Sequence, residues 1–297
     1  MAGEQRLAVV GAGLMGAALA RLFAAAGWSV RVSDPDQAAL DRLSAEAPAD
    51  AGLPAGRIST HRVLAEAVAD AQLVIEAAPE KPALKQQLFV QLAALTPASC
   101  ILATNSSVIP VGTVSALVDD ANAQRIVGTH FWNPPDLIPL VEVIQGPRTA
   151  PAAIDTTLAM LRGIGKQAVP VRRDVVPGNR LQHALWREAM ALVEEGVCAP
   201  EDVDAIIKNS FGLRLAVLGP LENADLVGLE LTADIHKVVL PQLSRATEPS
   251  SALTQRLARG ERGISAGAGF YKGWTEARVA DLRAKLVSHV KRLLQER

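Results

Sequence analysis

A histidine and a glutamate in two neighbouring apolar segments are the residues of this sequence best suited to acid–base chemistry. His130 lies near the end of the apolar segment 126–131, and Glu142 lies inside the next one, 140–144. A charge within a buried strand is costly unless it is paired. A connection of about eight residues can fold two such strands into a hairpin. We therefore expect Glu142 to reach His130 and to orient its imidazole, which is how a general base is built.

A glycine-rich segment near the start of the sequence indicates a dinucleotide site. Gly11, Gly13 and Gly16, with Leu14 and Met15 before the last glycine, fit the pattern G-x-G-x-x-G between a predicted strand and a predicted helix. The first glycine permits a tight turn, the second lets the backbone approach a pyrophosphate, and the third allows close contact between helix and strand. The start of the helix then offers free amides and positive partial charge to the diphosphate.

Asp34 closes the next predicted strand and should accept hydrogen bonds from the ribose hydroxyls of the dinucleotide. Its charge would repel a 2′-phosphate, so the sequence predicts NAD as the cofactor and not NADP. The alternative for Asp34 is a role as the cap of the helix that follows it. Together with a general base, a bound NAD predicts the oxidation of an alcohol.

Two further charged residues follow the predicted strand 72–77, namely Glu80 and Lys85. In a doubly wound sheet the turn after a strand lies at the carboxyl edge, where ligands bind. Both side chains could therefore face the nicotinamide ribose. The alternative is that they are only polar residues at the start of a helix.

The elements that must position these residues alternate along the first half of the chain. Strands are predicted at 7–10, 28–33, 57–60, 72–77, 100–104, 126–131, 140–144 and 167–171, and helices at 14–26, 35–47, 62–69, 82–95 and 150–163, with a turn at 48–56. This alternation is typical of an α/β domain with a parallel, doubly wound sheet covered by helices on both faces.

The second half of the sequence has helical patterns instead. One long helix is predicted at 180–196, another starts at Pro200, and a basic amphipathic helix at 276–295 closes the chain. We expect an all-α C-terminal domain, with the boundaries 1–174 for the α/β domain and 175–297 for the helical one. The basic face of the last helix fits a solvated surface, with membrane or partner binding as the alternative.

Composition narrows the classes of function that remain. A formal net charge of −1 and 3% aromatic residues argue against nucleic-acid binding. No apolar run has the roughly 18 residues that a membrane span needs. The sequence shows no signal peptide, and Cys100 and Cys198 are expected to be buried free thiols, so we expect a cytoplasmic protein. No metal site is predicted.

Taken together, these motifs resemble the L-3-hydroxyacyl-CoA dehydrogenase family, including its L-gulonate and L-carnitine dehydrogenase relatives. The segments that carry the resemblance are Gly11 to Gly16, Glu76 to Glu80, Asn105 to Ser107, His130 to Pro134, Pro139 to Val143, Asn179-Arg180, Gly219-Pro220 with Glu222 and Asp225, and Gly269 to Tyr271. The resemblance implies a Rossmann-like N-terminal domain and a helical C-terminal domain that forms a homodimer. It also implies an active site between the two domains.

The resemblance implies roles for individual residues. His130 is similar to the family's catalytic base, and Glu142 to the carboxylate that holds its ring. Ser107 and Asn179 resemble family residues that contact the substrate oxygens, where a donor would stabilise a developing oxyanion. The remaining matches are Asn105, Glu80 and Lys85 on the cofactor side and Asn133 on the substrate side.

Three departures from the family pattern concern the substrate and its site. Pro177-Gly178 runs directly into Asn179, where the family has about three more residues, so the placement of Asn179 is open. The segment between Asp34 and Glu76 is short for a CoA site. Arg214 occupies a position that is apolar or proline in acyl-CoA enzymes, and it could grip a free carboxylate or only form a surface salt bridge.

We therefore expect reversible, NAD-dependent oxidation of an L-3-hydroxyl to a 3-oxo group on a small free 3-hydroxy acid. One alternative substrate is a short-chain L-3-hydroxyacyl-CoA thioester. An alternative of another class is an NAD(H)-binding protein without activity, like the lens crystallins of this family. Retention of Ser107, His130 and Glu142 favours an enzyme.

Overall fold

The apolar runs of the first half form one eight-stranded sheet in a computed structural model of the chain, which describes residues 4–46 and 56–296. The strands are β1 Arg6–Val10, β2 Ser29–Ser33, β3 Ile58–His61, β4 Leu73–Glu76, β5 Ile101–Thr104, β6 Ile126–Phe131, β7 Leu140–Gln145 and β8 Gln167–Val171. Their order in the sheet is β3-β2-β1-β4-β5-β6-β7-β8. β6 and β7 pair antiparallel, and the other neighbours pair parallel. The predicted doubly wound sheet is confirmed.

Helices cover both faces of this sheet. They are α1 Leu14–Ala25, α2 Gln37–Glu46, α3 Leu64–Val68, α4 Pro82–Leu95, α5 Val111–Val114, α6 Asp120–Ala123 and α7 Pro151–Gly163. Side chains of β1 alternate between two apolar clusters, with Leu7 and Val9 in one and Ala8 and Val10 in the other. The first cluster includes residues of α1, α2 and α7, and the second includes residues of α3, α4 and α5. The packing of helices on both faces holds the strands in place, and with them the turns at the carboxyl ends of the strands, where ligands bind in such sheets.

In this first part of the chain, element boundaries differ from the predictions by a few residues, and two of the described helices were not predicted. α5 and α6 are single turns, too short to show a helical periodicity in the sequence. α6 begins where the Asp119 carboxylate accepts a hydrogen bond from the Asn122 amide. The predicted turn at 48–56 lies outside the described residues except for Gly56.

The chain divides into two units at Pro177 and Gly178, and the second unit is helical. Its helices are α8 Pro177–Glu194, α9 Pro200–Asn209, α10 Phe211–Arg214, α11 Pro220–Val227, α12 Leu229–Val239, α13 Ser251–Ala258 and α14 Glu276–Gln295. α8 begins before the predicted Arg180 because proline is favoured at the first position of a helix. Two isolated bridges, Gly263 to Ala268 and Ala268 to Lys272, lie in the loop before α14. The predicted all-α character of this part is confirmed.

Large apolar side chains are exposed on the second unit. Val217 is 88% exposed and Leu221 is 82% exposed. Further exposed apolar side chains on α10, α11 and α12 are Leu213, Leu226, Leu229, Leu231, Ile235 and Val238. So many exposed apolar groups in one region are unusual for a surface that stays in contact with water.

The two cysteines are both free. Cys100 is buried, as predicted, whereas Cys198 is only half-buried, so that part of the prediction was wrong. Cys198 lies in the short connection between α8 and α9, which the packing does not cover. Among the described residues, no helix combines the length and the apolar composition that crossing a membrane would require.

Candidate active site

The antiparallel pair β6 and β7 places His130 directly opposite Glu142. The distance from His130 Nδ1 to Glu142 Oε2 is 2.8 Å, and both side chains are buried. A charged carboxylate at this depth is stabilised by the imidazole that it contacts. The hairpin and the contact that the sequence predicted are therefore present.

The carboxylate also decides which nitrogen of the imidazole is available as a base. An ionised carboxylate only accepts hydrogen bonds, so Nδ1 carries the proton and donates to Glu142. Nε2 then keeps its lone pair in the neutral ring. Ser107 Oγ lies 3.2 Å from Nε2, so the serine hydroxyl donates to it. Ser107, His130 and Glu142 thus form one hydrogen-bonded row.

Trp132 belongs to the same surroundings, although sequence reasoning did not single it out. Its indole Nε1 donates to Glu142 Oε2 over 3.4 Å. Its ring also meets the His130 ring edge to face, with the centroids 5.5 Å apart. A second donor to the same carboxylate oxygen helps to hold Glu142 in place. Only the hairpin geometry could reveal this contact, because Trp132 follows β6 and Glu142 lies in β7.

Asn105 joins the end of β5 to the histidine strand. Its Oδ1 accepts a hydrogen bond from the Phe131 backbone amide over 3.1 Å, and its own backbone N–H donates to Glu76 O over 2.8 Å. Asn105 therefore fixes the spacing between the carboxyl ends of β4, β5 and β6. It lines the same cavity as Ser107.

The glycine turn after β1 has the geometry that its sequence implies. Gly11 has φ +105°, and a Cβ there would lie 2.8 Å from Ala77 O. A Cβ on Gly16 would lie 1.8 Å from Gly11 O, so a side chain would push the start of α1 away from the turn. A Cβ on Gly13 would meet nothing within 4 Å, so the backbone at Gly13 is open to a ligand. These features match the three roles of the glycines in a dinucleotide turn.

Asp34 is tied to the glycine turn. Its Oδ2 accepts a hydrogen bond from the Ala12 amide over 2.7 Å, and its Oδ1 accepts one from the Asp36 amide over 2.8 Å. At the start of α2, Asp36 Oδ1 accepts from the Ala38 amide. Asp36, and not Asp34, therefore occupies the capping position. Asp34 holds its carboxylate beside the turn, where a ribose would lie.

A cavity of about 820 Å³ extends from the glycine turn to Ser107, whose hydroxyl contacts His130. Among the predicted residues, its lining includes Gly11, Gly13, Met15, Asp34, Glu80, Lys85, Asn105 and Ser107. Leu14 is 75% exposed, and Gly16 is buried against the turn. Arg62 also lines the cavity and was not predicted, since it has no motif around it. A glycine cradle that opens into a cavity of this size fits a dinucleotide.

Lys85 was expected to face the nicotinamide ribose, but its ammonium group contacts a buried carboxylate. Its side chain is 1% exposed, and Nζ donates to Glu76 Oε1 over 2.6 Å and to Ala78 O over 3.1 Å. Glu80 Oε2 lies 3.7 Å from the same nitrogen. The shortest contact of the Lys85 ammonium is therefore with the buried Glu76 carboxylate. The sequence analysis gave Glu76 no role in the site, although it is a charge in a buried strand, the same signal that pointed to Glu142.

The other predicted residues lie elsewhere. Asn133 is exposed in the loop between β6 and β7. Asn179 lies in the first turn of α8, and Arg214 ends α10, both in the C-terminal unit. The N-terminal unit by itself therefore brings together the acid–base residues and the glycine turn.

Comparison with known proteins assigns the chain to a family. The family model for the NAD-binding domain of 3-hydroxyacyl-CoA dehydrogenase matches residues 6–175, and the model for the C-terminal domain of the same enzymes matches residues 177–273. The chain belongs to the 3-hydroxyacyl-CoA dehydrogenase family. It is accordingly an NAD-dependent oxidoreductase, as the sequence predicted.

Individual relatives within the 3-hydroxyacyl-CoA dehydrogenase family cover most of the chain. The 5-formyl-3-hydroxy-2-methylpyridine 4-carboxylate 5-dehydrogenase of Mesorhizobium japonicum is 34% identical over 99% of both chains. An L-carnitine dehydrogenase of Streptomyces griseus is 40% identical over 82% of this chain and 79% of its own. A crystal structure of a 5-formyl-3-hydroxy-2-methylpyridine 4-carboxylic acid 5-dehydrogenase, described as an NAD⁺-dependent dismutase, has a TM-score of 0.90 and 30% identity. It covers 99% of this chain and 100% of that one.

Proposed function

We propose that this enzyme oxidises the hydroxyl-bearing carbon of a small free acid, a 3-hydroxy acid of L configuration, with His130 as the base. The observation that carries the proposal is the hydrogen-bonded row of Ser107, His130 and Glu142, of which Ser107 lines the glycine-turn cavity. When bound, NAD supplies the acceptor for the hydride that leaves the substrate carbon. The same residues serve the reverse reaction, the reduction of a 3-oxo acid.

His130 takes the proton of the substrate hydroxyl at Nε2. This nitrogen is the one that Glu142 leaves unprotonated, because the carboxylate holds the proton of Nδ1. As Nε2 gains the proton, the imidazole becomes positively charged, and the Glu142 carboxylate stabilises that charge at 2.8 Å. Burial of the pair strengthens this interaction, since little water screens it.

Ser107 and two asparagines bind the substrate oxygen in this proposal. The Ser107 hydroxyl lies 3.2 Å from His130 Nε2, so one substrate oxygen could contact both groups. A donor at that oxygen stabilises negative charge as the proton leaves. We assign Asn179 and Asn133 to further hydrogen bonds with substrate oxygens, and this assignment rests on the family resemblance.

For the cofactor, the proposal assigns the diphosphate to the glycine turn and the start of α1, with Leu14 and Met15 beside it. Asp34 receives the adenosine ribose, and its charge excludes a 2′-phosphate. On the nicotinamide side we assign Glu80, Lys85 and Asn105. The supporting observation is that the cavity lining includes these three residues together with Ser107.

The preference for a free acid is supported by the relatives and by Arg214. Two of the similar enzymes are named for free carboxylates, a pyridine carboxylate and L-carnitine. In this proposal the Arg214 guanidinium binds the substrate carboxylate through two parallel hydrogen bonds. A CoA thioester, the alternative substrate, has an uncharged thioester group in place of this carboxylate.

A second candidate is the oxidation of an aldehyde. It is favoured by the relative that matches 99% of both chains, because that enzyme is named for a formyl group. A hydrated aldehyde has a hydroxyl and a hydrogen on the same carbon, as an alcohol does. His130 could therefore remove its hydroxyl proton in the same way.

The first experiment compares substrates by the formation of NADH. L-3-Hydroxybutyrate, L-carnitine and L-gulonate represent free acids, L-3-hydroxybutyryl-CoA represents thioesters, and an aromatic aldehyde carboxylate represents hydrated aldehydes. A higher kcat/KM for a free acid supports the proposal. Arg214→Lys and Arg214→Ala should then raise KM for the free acid and leave KM for the thioester unchanged. A higher kcat/KM for the thioester contradicts the free-acid proposal.

We also infer how the chain is organised. Residues 1–174 would form the NAD-binding domain and residues 175–297 the substrate and dimerisation domain. A homodimer through the helical domain is supported by the exposed apolar side chains of α10, α11 and α12. A cytoplasmic location is supported by the two free cysteines.

A further inference from the structure

Glu76 is a buried carboxylate next to the active site that the proposed reaction does not use. It ends β4 and is 0% exposed, so it cannot touch cofactor or substrate. It nevertheless accepts three hydrogen bonds, from Lys85 Nζ over 2.6 Å, from the Ala78 amide over 2.7 Å and from Thr104 Oγ1 over 2.7 Å. A carboxylate at this depth requires such partners, because leaving it unpaired is costly.

The oxygen Oε1 of Glu76 holds the turn between β4 and α4. Both the Lys85 ammonium and the Ala78 amide donate to it. Lys85 Nζ also donates to Ala78 O and lies 3.7 Å from Glu80 Oε2. The turn is thereby folded around one ammonium group. Lys85 and Glu80 line the cofactor cavity, so Oε1 acts on the cofactor side.

The oxygen Oε2 of Glu76 holds a different segment, the loop after β5. It accepts from Thr104 Oγ1, and that oxygen in turn accepts from the Ser106 amide over 3.2 Å. Ser106 Oγ then accepts from the Ile109 amide over 2.8 Å. Ser107, in the middle of this loop, places its hydroxyl 3.2 Å from His130 Nε2. Oε2 therefore acts on the acid–base side.

Glu80 joins the two segments a second time. Its Oε2 accepts from Ser106 Oγ over 2.9 Å, and its Oε1 accepts from the Ser107 amide over 2.9 Å. The Thr104 hydroxyl bridges Glu76 and the Ser106 amide and takes no part in these Glu80 contacts. A change at Thr104 should therefore reach Ser107 and leave the Lys85 turn in place.

We propose that Glu76 is a positioning residue whose two oxygens set separate parts of the site. Oε1 sets the cofactor-side turn through Lys85, and Oε2 sets Ser107 through Thr104. Neither Glu76 nor Thr104 takes part in proton transfer. The inference rests on the proposed roles of Ser107 and His130, and it adds the residues that place Ser107.

The test uses Thr104→Val, which removes the hydroxyl and keeps the shape, and Thr104→Ser, which keeps the hydroxyl. Thr157→Val is the matched control, because Thr157 is equally buried and its hydroxyl bonds only within α7. Three quantities are measured: kcat with whichever substrate forms NADH, the Kd of NADH by fluorescence, and the ¹⁵N resonance of His130 Nε2 in the free protein.

Thr104→Val should lower kcat on the order of ten-fold, because a small misplacement at a reacting group is costly. It should shift the Nε2 resonance and leave the Kd of NADH within about two-fold, since the Lys85 turn is untouched. Thr104→Ser should restore kcat and the resonance. Glu76→Gln should impair both kcat and NADH binding, because a neutral amide weakens the bond from Lys85 as well.

The proposal is wrong if Thr104→Val and Thr157→Val both lower only the Tm and leave kcat and the Nε2 resonance unchanged. It is also wrong if Thr104→Val weakens NADH binding as much as it lowers kcat. The Nε2 resonance and the Kd of NADH need no substrate. A substrate panel that contradicts the free-acid proposal would therefore leave this test intact.

Discussion

A carboxylate 2.8 Å from one imidazole nitrogen decides the chemistry of the other. Glu142 fixes the proton on Nδ1 of His130, so Nε2 is the nitrogen that can accept a proton from substrate. The hydroxyl of Ser107 beside Nε2 lies where it can share a substrate oxygen with the ring. Trp132 donates to the same carboxylate oxygen and restrains it further. The direction of proton transfer thus follows from one contact between two strands.

Replacement of the base should lower turnover by several orders of magnitude without preventing cofactor binding. His130→Gln keeps a polar side chain of similar size but cannot take the proton, so kcat should fall about 10²- to 10⁴-fold. The Kd of NADH, measured by fluorescence, should stay close to that of the wild type. Glu142→Gln is the matched variant: its amide oxygen can still accept from Nδ1, and its loss of kcat should be smaller. A His130→Gln enzyme with the kcat of the wild type would eliminate His130 as the base.

The two thiols should differ sharply in reactivity. Burial raises the pKa of the Cys100 thiol to about 12, which leaves roughly one thiolate in ten thousand at pH 8. Cys198 is half-buried and should react. A disulfide reagent such as 5,5′-dithiobis(2-nitrobenzoic acid) should therefore modify one thiol in the native protein and both after denaturation. Cys198→Ser should remove the native reaction. Rapid native labelling of that variant would contradict the buried position of Cys100.

At the scale of elements, the loop between β6 and β7 depends on a lysine from outside it. Lys166, in the turn between α7 and β8, is buried and donates to Ile138 O over 3.0 Å and also to Pro135 O. The loop contains Asn133 and joins the strands of His130 and Glu142. A single ammonium group thus satisfies two backbone carbonyls of this loop.

Lys166→Met should destabilise the fold by about 1–3 kcal/mol, because the buried carbonyl of Pro135 and the half-buried carbonyl of Ile138 lose their donor. Thermal unfolding measures the loss, and Lys291→Met, at an exposed lysine, is the control for charge. Burial lowers the pKa of Lys166, so between its folded and unfolded pKa values the unfolded chain binds more protons. Stability from this group therefore rises with pH. The difference in Tm between wild type and Lys166→Met should be larger at alkaline pH than at neutral pH, and an equal difference at the two pH values would refute this.

Much of the N-terminal unit could be predicted from the sequence because its elements carry strong patterns. Apolar runs between glycine and proline turns gave the strands, and the charge inside 140–144 gave the pairing with His130. The single turns α5 and α6 have too few residues to show a period. Glu76 could have been predicted by the rule that pointed to Glu142, namely that a charge in a buried strand needs a partner. The contact of the Thr104 hydroxyl with Glu76 could not be predicted before the strand order placed β4 beside β5.

At the scale of the whole molecule, the two units differ in how well they bury their apolar residues. The N-terminal unit encloses two apolar clusters around its sheet. In the C-terminal unit, α8, α11 and α12 have no buried residue among those described. Val217 and Leu221 are almost fully exposed in the isolated chain. Apolar surface of this extent lowers its free energy by association, and a stable dimer needs about 800 Å² from each partner.

We expect a homodimer whose contact includes Val217 and Leu221. Light scattering after gel filtration should give the mass of two chains, and the Tm should rise with protein concentration, because folding and association are linked. A double variant, Val217→Asp with Leu221→Asp, should shift the mass towards one chain while the circular dichroism of the helices remains. Leu117→Asp, at an exposed leucine of the N-terminal unit, is the control and should stay dimeric. A wild-type chain that remains monomeric at high concentration, or a double variant that remains a dimer, would show that this surface has another use.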